Sequence, residues 1–335
     1  MTPLRLRPDN FTPPTRTPWG GRRIVEAIKA GLPDLGDDGE HDVVGEAWEF
    51  SIDPAFPSRV ADGRLLAEAL PEAATTPMLV KLLDTADELS VQVHPPDDYA
   101  ALPPGHSGKP EAWYVLAREP GAGLWLGLRD GVTREALSSA LAAHADLRPM
   151  LTFVPVSPGD CFVIAPGTVH AVGAGVTLVE PQLVRPGQTG TTYRFWDWNR
   201  RYDAAGHRSP SGQPRPLHVA DSLAVTAFDD QRGAAYVASL RRRPEPIVAA
   251  AGATRDRLCT LGVMSVERLR GDGTLVIPAL AALAALVVVR GRLTIRAGDA
   301  STAARCGETL ALPSEIGAFS VTLEDAEAIM TWCRG

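Results

Sequence analysis

Histidine and cysteine are both scarce in this chain. The segments that lack them cannot supply the usual ligands of a transition metal. No histidine follows His218, and no two cysteines have the CxxC spacing of a zinc ribbon or a redox motif. The four cysteines are scattered at Cys161, Cys259, Cys306 and Cys333. We therefore expect free thiols in a reducing compartment, and any metal held by histidine must lie in the first two thirds of the chain.

The chain also lacks a long apolar run and an excess of positive charge. Its longest apolar run, residues 275–289, contains Pro278 and is shorter than the roughly 20 residues of a membrane helix. The N-terminus has no apolar segment typical of a secretory signal. The net charge of −7 gives no electrostatic basis for nucleic-acid binding. We expect a cytoplasmic protein that binds neither membrane nor nucleic acid and is a monomer or a homodimer.

Glycine and proline, by contrast, are abundant and evenly spread. The 31 glycines and 29 prolines separate short apolar runs along the whole chain. Many short strands joined by turns are typical of a sandwich or barrel. Similar strand–Gly-Asp–strand phrases at 157–167 and 296–313 hint at two related barrels. Helical patterns are few: 64–73, 133–145 with Thr133 as a predicted N-cap, and 215–226.

A change of composition near residue 240 indicates a domain boundary. Residues 240–257 are basic and then rich in proline, alanine and glycine, and they lack the alternation of a strand. We predict a catalytic domain over residues 1–239, a linker over 240–257, and a small β domain without a metal site over 258–335.

One predicted strand carries polar side chains on a single face. In "LSVQVH" (89–94), the period of two places Ser90, Gln92 and His94 on one face and the apolar residues on the other. Three polar groups would be costly in a filled apolar core, so this face is expected to line a cavity. Two prolines then end the strand, because neither has an N–H group for the ladder.

Two further phrases complete a set of metal-binding groups. Glu111 begins the strand-like "EAWYVL", and His170 begins a strand after the turn in "APGTVH". Together with Gln92 and His94 they offer two imidazoles, a carboxylate and an amide oxygen. This donor set suits Zn²⁺ and also other first-row divalent ions. Each residue alone fits a structural role, and Glu111 alone fits an ion pair with Lys109, but their common orientation favours one site.

At this point the sequence resembles a known family. "LVKLLDTADELSVQVHP", "GKPEAWYVL", "APGTVHAVGAGVTLVEPQ" and "TTYRFWDWNR" together resemble class I mannose-6-phosphate isomerases of the short bacterial type. The resemblance covers residues 5 to 230 with specific phrases and continues as a cupin-like strand pattern. It implies a mostly β fold of two cupin-type (jelly-roll) β-barrels with a few short helices. The chain departs from the family pattern at Ala165-Pro166 and at Pro96, where members often have PxG and Asp.

The resemblance also implies roles for individual residues. It assigns one Zn²⁺ per chain to the same four ligands, Gln92, His94, Glu111 and His170. It assigns the sugar phosphate to Ser90 and Lys109, with assistance from Lys81. Arg194 of "TTYR" would hold or polarise the substrate, and Glu180 of "VEPQ" would be the acid or base. The implied reaction interconverts mannose 6-phosphate and fructose 6-phosphate through an enediol or enediolate.

Several alternatives stay open on sequence alone. Arg194 could instead form a structural pair with Asp197. The chain could be an isomerase or a binding protein for another sugar phosphate on the same fold, since fold does not fix function. A third possibility is an iron-dependent cupin oxygenase, although such sites favour two histidines and one carboxylate without a glutamine.

Overall fold

The computed structural model describes residues 1–33, 35, 43–229 and 232–334, and His41 lies outside them. Within these residues most of the regular structure is β. The strands in chain order are β1 (Leu4–Arg5), β2 (Glu46–Phe50), β3 (Met78–Asp84), β4 (Val91–Val93), β5 (His106–Ser107), β6 (Glu111–Arg118), β7 (Gly123–Leu128), β8 (Leu151–Pro155), β9 (Cys161–Ile164), β10 (His170–Val172), β11 (Val176–Leu183), β12 (Thr189–Gly190), β13 (Tyr193–Trp196), β14 (Arg241–Arg242), β15 (Glu245–Ala250), β16 (Ala253–Leu261), β17 (Met264–Ile277), β18 (Ala284–Ala297), β19 (Ala300–Arg305), β20 (Thr309–Leu312) and β21 (Phe319–Cys333).

The helices are short. They are α1 (Leu66–Ala69), α2 (Arg134–Ala142), α3 (Val219–Val225) and α4 (Gly233–Leu240), with a π-helix at Ile24–Ile28 and 3-10 helices at Pro71–Thr75, Arg148–Met150 and Ser314–Ile316. The predicted cap of α2 is confirmed, because Thr133 Oγ1 accepts a hydrogen bond from the Ala136 amide at 3.1 Å. None of the helices in the described part of the chain has the length and apolar character that a membrane span requires. The four cysteines are free, as predicted.

Two sheets in the first part of the chain provide the frame of the site. A six-stranded sheet has the order β14-β9-β6-β11-β3-β2, and a five-stranded sheet has the order β13-β4-β10-β7-β8. The Trp113 ring of the first packs edge-on against the His170 ring of the second, with centroids 5.4 Å apart. The two sheets therefore face each other, and polar side chains at this contact lie between them.

The C-terminal part forms an eight-stranded sheet that also takes in the N-terminus. Its order is β1-β20-β18-β21-β17-β16-β15, with β19 paired to β18. Leu4 of β1 lies opposite Ala311 of β20. One apolar core contains Leu6, Phe50 and Ile329, so residues from both ends of the chain pack together.

The stretch 240–257, predicted as a linker, holds strands instead. It contains β14, β15 and the first part of β16, and β15 pairs antiparallel with β16. The strand pattern of β15 is not visible in the sequence. All six of its residues are exposed at the edge of the sheet, so they need not alternate between apolar and polar. Exposure on both faces removes the apolar periodicity on which a strand prediction depends.

A buried ion pair in the N-terminal part of the chain is hydrogen-bonded to residues of the C-terminal part. Lys29 Nζ lies 2.7 Å from Glu49 Oε1, with the two side chains only 0% and 3% exposed. Lys29 also donates to the carbonyl oxygen of Gly307 at 3.0 Å, and Thr309 donates to the other oxygen of Glu49 at 2.6 Å. Every charge in this cluster is therefore paired and hydrogen-bonded.

We expect Lys29→Met to lower the free energy of unfolding by about 3–5 kcal/mol, because the Glu49 carboxylate would stay buried without its cation. Urea denaturation of both proteins measures the difference. Arg22→Met is the matched control, since the Arg22–Glu26 pair is 51% and 56% exposed and should change stability by less than about 1 kcal/mol. Equal effects of the two substitutions would contradict this account of Lys29.

Candidate metal centre and cavity

Three buried side chains converge between the two facing sheets. The ligand atoms of His94, Glu111 and His170 all lie within 4.8 Å of one another. Glu111 begins β6 in the six-stranded sheet, His170 begins β10 in the five-stranded sheet, and His94 directly follows β4. Within the described residues, three of the four predicted metal ligands therefore come from separate segments and meet at one point.

The orientation of both imidazoles is set by backbone carbonyls. His94 Nδ1–H donates to the carbonyl oxygen of Thr191 at 2.9 Å, and His170 Nδ1–H donates to that of Thr168 at 2.8 Å. A carbonyl oxygen can only accept, so each Nδ1 carries the proton and each Nε2 of a neutral ring carries a lone pair. His94 Nε2 lies 3.1 Å from Glu111 Oε1, and neither Nε2 atom has a hydrogen-bond partner among the described residues.

The neutral state of these imidazoles follows from their surroundings. Burial, and then the nearby ammonium group of Lys109, lowers the pKa of His94. Burial and the neighbouring His94 lower the pKa of His170 to about 3. Neutral His94 thus turns a lone pair toward Glu111 Oε1, only 3.1 Å away. Two imidazole nitrogens with free lone pairs and a carboxylate form a donor set that fits a divalent metal ion.

Gln92, the fourth predicted ligand, lies next to this group. It stands directly opposite His170 in the β4–β10 ladder, and it lines the cavity above the two imidazoles. The predicted alternation is confirmed on this strand, because Val91 and Val93 pack into an apolar core on the other side. Gln92 therefore presents its amide on the same face as the metal-binding donors.

A cavity of about 250 Å³ opens over the site. The remaining predicted residues, Lys81, Ser90, Lys109, Glu180 and Arg194, all line it. His94, Glu111 and His170 are fully buried and do not line it. Glu111 contacts the lining residue Lys109, and His170 is paired with the lining residue Gln92, so the buried donors adjoin the cavity.

Glu180 lies on β11 beside the metal-binding group, in a place that disfavours its charge. Burial and the negative charge of Glu111 raise the pKa of Glu180 well above its usual range. Burial also opposes ionisation of Glu111, but Lys109, His94 and His170 together outweigh it and lower the pKa of Glu111 well below its usual range. The two neighbouring carboxyl groups are therefore driven toward different protonation states, which is the arrangement expected of a metal ligand beside an acid or base.

The cationic side chains of the cavity have separate partners. Lys109 Nζ lies 2.9 Å from Glu111 Oε1, and its pKa is raised because Glu111 and Glu180 outweigh the effect of burial. Lys81 Nζ lies 3.3 Å from Glu46 and 4.4 Å from the centre of the Trp48 ring. Each ammonium group is therefore held at the cavity wall by an acidic or aromatic side chain.

Arg194 is directed into the cavity and away from Asp197. Its Nε donates to Ser90 Oγ at 2.8 Å, while Asp197 binds Arg200. Burial, and then the positive charge of Arg215, lowers the pKa of Arg194 to about 10. Arg194 remains a cation at neutral pH, and none of the described carboxylates forms an ion pair with it.

Several cavity residues were not anticipated from the sequence. Gln182 and Trp113 hydrogen-bond the two buried carboxyl groups, and Glu46 and Arg215 line the wall. A signal for the first two was present: Trp113 follows Glu111 by two positions, and Gln182 follows Glu180 by two, so each pair shares a strand face. Arg215 lies in an irregular segment, where no periodicity indicates direction.

Comparisons with known proteins agree with this geometry. No protein-family model matches the chain. A curated relative from Streptococcus mutans, a mannose-6-phosphate isomerase, is 33% identical over 220 residues, which is 62% of this chain and 63% of that protein. The match thus spans less than two thirds of the relative.

Solved structures share the fold over greater lengths. The mannose 6-phosphate isomerase from Bacillus subtilis superimposes with a TM-score of 0.81 at 23% identity, covering 99% of both chains. A mannose 6-phosphate isomerase bound with zinc and yttrium gives a TM-score of 0.70 at 14% identity over 100% of both chains. The chain is thus a sequence relative of curated mannose-6-phosphate isomerases over 220 residues and has the fold of solved ones over nearly its whole length.

Proposed function

We propose that the chain is a zinc-dependent aldose–ketose isomerase that interconverts mannose 6-phosphate and fructose 6-phosphate. The observation that carries the proposal is the buried meeting of two imidazole lone pairs and a carboxylate beneath a cavity that Glu180 and Arg194 also line. The names of the curated relatives and the zinc-bound solved structure support the same reaction and metal.

The metal would be held by His94, Glu111 and His170, with Gln92 as the fourth ligand and one ion per chain. Two neutral nitrogens with a carboxylate and an amide oxygen form a donor set that zinc accepts. A divalent cation bound there supplies Lewis acidity, which favours negative charge on a nearby carbonyl oxygen. The backbone carbonyls of Thr168 and Thr191 would fix the imidazoles in the tautomer that leaves Nε2 free for the metal.

Glu180 would transfer the proton between the two reacting carbons. Its carboxylate takes the proton from C2 of the aldose, and the electron pair of that C–H bond forms the enediolate. The same carboxyl group returns the proton to C1, while a proton moves from the oxygen on C2 to the oxygen on C1. Burial beside Glu111 raises the pKa of Glu180, which makes its ionised form a stronger base.

Arg194 and the two lysines would bind the substrate. Arg194, held by Ser90, offers a fixed cation to the oxygens that become negative during the reaction. Lys109 and Ser90 would bind the phosphate group, with assistance from Lys81. Positive side chains in a cavity of this size suit a small anionic sugar.

The wider architecture is part of the same proposal. We infer that the sheets form two cupin-type jelly-roll barrels, with a catalytic domain over residues 1–239 and a small metal-free domain over 258–335. The fold shared with a solved isomerase over 99% of both chains supports a common architecture. A cytoplasmic location and a monomeric or homodimeric state stay predictions from the sequence.

A coupled assay tests the reaction. Purified chain supplied with zinc should form fructose 6-phosphate from mannose 6-phosphate, and removal of the metal by a chelator should abolish the activity until zinc is returned. The dependence on metal is expected because the ligand atoms of His94, Glu111 and His170 converge within 4.8 Å of one another. Glucose 6-phosphate and ribose 5-phosphate serve as comparison substrates.

Each outcome of this assay is decisive. Turnover of another sugar phosphate alone would favour an isomerase for a different substrate. Binding of mannose 6-phosphate without turnover, with zinc at full occupancy, would favour a binding protein. Activity that survives complete metal removal would overturn the zinc-dependent mechanism.

A further inference from the structure

Two neutral N–H donors lie between the two buried carboxyl groups of the site. Trp113 Nε1 donates to Glu180 Oε1 at 2.8 Å and approaches Glu111 Oε2 at 3.2 Å. Gln182 Nε2 donates to Glu111 Oε1 at 2.8 Å and to Glu180 Oε2 at 2.5 Å. Each donor thus contacts both carboxyl groups, and each carboxyl group is held at both of its oxygens. We call Trp113 and Gln182 the carboxylate clamp.

The clamp follows from the pairing of β6 with β11. Glu111 and Trp113 are two positions apart on β6, and Glu180 and Gln182 are two positions apart on β11, so all four side chains point to the same face. Gln182 stands opposite Glu111 in the ladder. Each strand therefore contributes one carboxyl group and one donor, and each donor reaches across to the neighbouring strand.

The two carboxyl groups do not depend on the clamp equally. Glu111 has a further partner in Lys109, whose ammonium group lies 2.9 Å away. For Glu180, Trp113 and Gln182 are the only hydrogen-bond donors in the described part of the chain, because Lys81 Nζ is 3.9 Å away. Loss of the clamp would therefore leave Glu111 paired but Glu180 without a fixed orientation.

We propose that Gln182 and Trp113 are positioning residues that hold Glu180 in the orientation needed for proton transfer. This inference rests on the proposed isomerase function. A misplacement of about 1 Å can lower turnover roughly 100-fold, so the reacting carboxyl group must be held firmly. Trp113 and Gln182 are neutral donors, so they can hold Glu180 without adding a positive charge. A hydrogen-bonded ammonium group would stabilise the carboxylate anion of Glu180 and make it a weaker base.

Gln182→Met and Trp113→Phe test the clamp in the full-length, zinc-loaded protein. Each variant keeps the approximate shape of the side chain but loses the N–H donor. We expect kcat to fall by roughly 10- to 100-fold, with KM within about threefold and metal content unchanged. The primary isotope effect with 2-deuterated mannose 6-phosphate should increase, because proton transfer becomes more rate-limiting.

Matched controls use the same substitutions outside the cavity. Gln213 is exposed, and Trp125 Nε1 has no hydrogen-bond partner in the part of the chain that the structure describes. Gln213→Met and Trp125→Phe should therefore leave kcat and the isotope effect as in the wild type. Thermal melting of all four variants establishes that each is folded.

The results separate failure of the clamp from failure of the proposed function. An active wild type whose Gln182→Met and Trp113→Phe variants keep full kcat would overturn the clamp alone. A fall in kcat that follows loss of metal, with an unchanged isotope effect, would also overturn the clamp. That result would mean that Trp113 and Gln182 support Glu111 as a metal ligand rather than orient Glu180. A zinc-loaded wild type without isomerase activity would overturn the proposed function and the clamp's role with it.

Discussion

Replacement of His170 by alanine should abolish both metal binding and turnover. His170 belongs to the group of three buried donors, and its Nε2 lacks a hydrogen-bond partner among the described residues. Its loss leaves two strong donors and one amide, which is too few to retain the ion during purification. A bound metal stabilises the charge that develops in the transition state by several kcal/mol, so its loss should lower turnover by roughly 1,000-fold or more. Elemental analysis and the coupled assay measure both losses.

His207→Ala is the control for this experiment, because the side chain of His207 is 77% exposed and distant from the cavity lining. It should keep the metal and the activity of the wild type. Circular dichroism must show that His170→Ala is folded. A folded His170→Ala protein with full metal occupancy and normal turnover would contradict the metal site.

Glu180→Ala should give the second large effect, but with the metal retained. Removal of a general base lowers turnover by roughly 100- to 10,000-fold, whereas His94, Glu111 and His170 keep their backbone and lysine partners. The expected combination is normal zinc content with a kcat close to background. Metal analysis, followed by the isomerase assay on the same sample, measures it.

Glu315→Ala serves as the matched control, since Glu315 is exposed in the C-terminal region. It should behave as the wild type in both measurements. Normal turnover in Glu180→Ala would remove Glu180 from the mechanism and leave Arg194 or a lysine to be tested as the proton-transfer group. Loss of zinc in Glu180→Ala would instead make Glu180 part of the metal site.

The residues on regular strands were predictable because alternation fixes direction. The period of two in "LSVQVH" placed Gln92 and His94 on one polar face, and the structure has Val91 and Val93 packed on the other side. The same periodicity applies to Glu111, whereas Glu180 was indicated by the family resemblance alone. A polar face on an otherwise apolar strand also predicts a cavity rather than a filled core.

The remaining features depend on pairings that are distant in sequence. Which strand lies beside β6 cannot be inferred from local periodicity, so the contact of Gln182 with Glu111 was not predicted. Arg215 reaches the cavity from an irregular segment. The strands between 240 and 257 were missed because β15 is exposed throughout and carries no apolar alternation.

The pairing of β1 with β20 has a consequence for synthesis of the protein. Leu4 leaves the ribosome long before its partner Ala311 has been synthesised. At about 5–20 residues per second, the first strand waits roughly 15–60 s before its neighbour is made. The N-terminal segment must stay unpaired, yet protected from aggregation, throughout this interval. This edge of the eight-stranded sheet can therefore be completed only after β20 has been made, however early the first two sheets form.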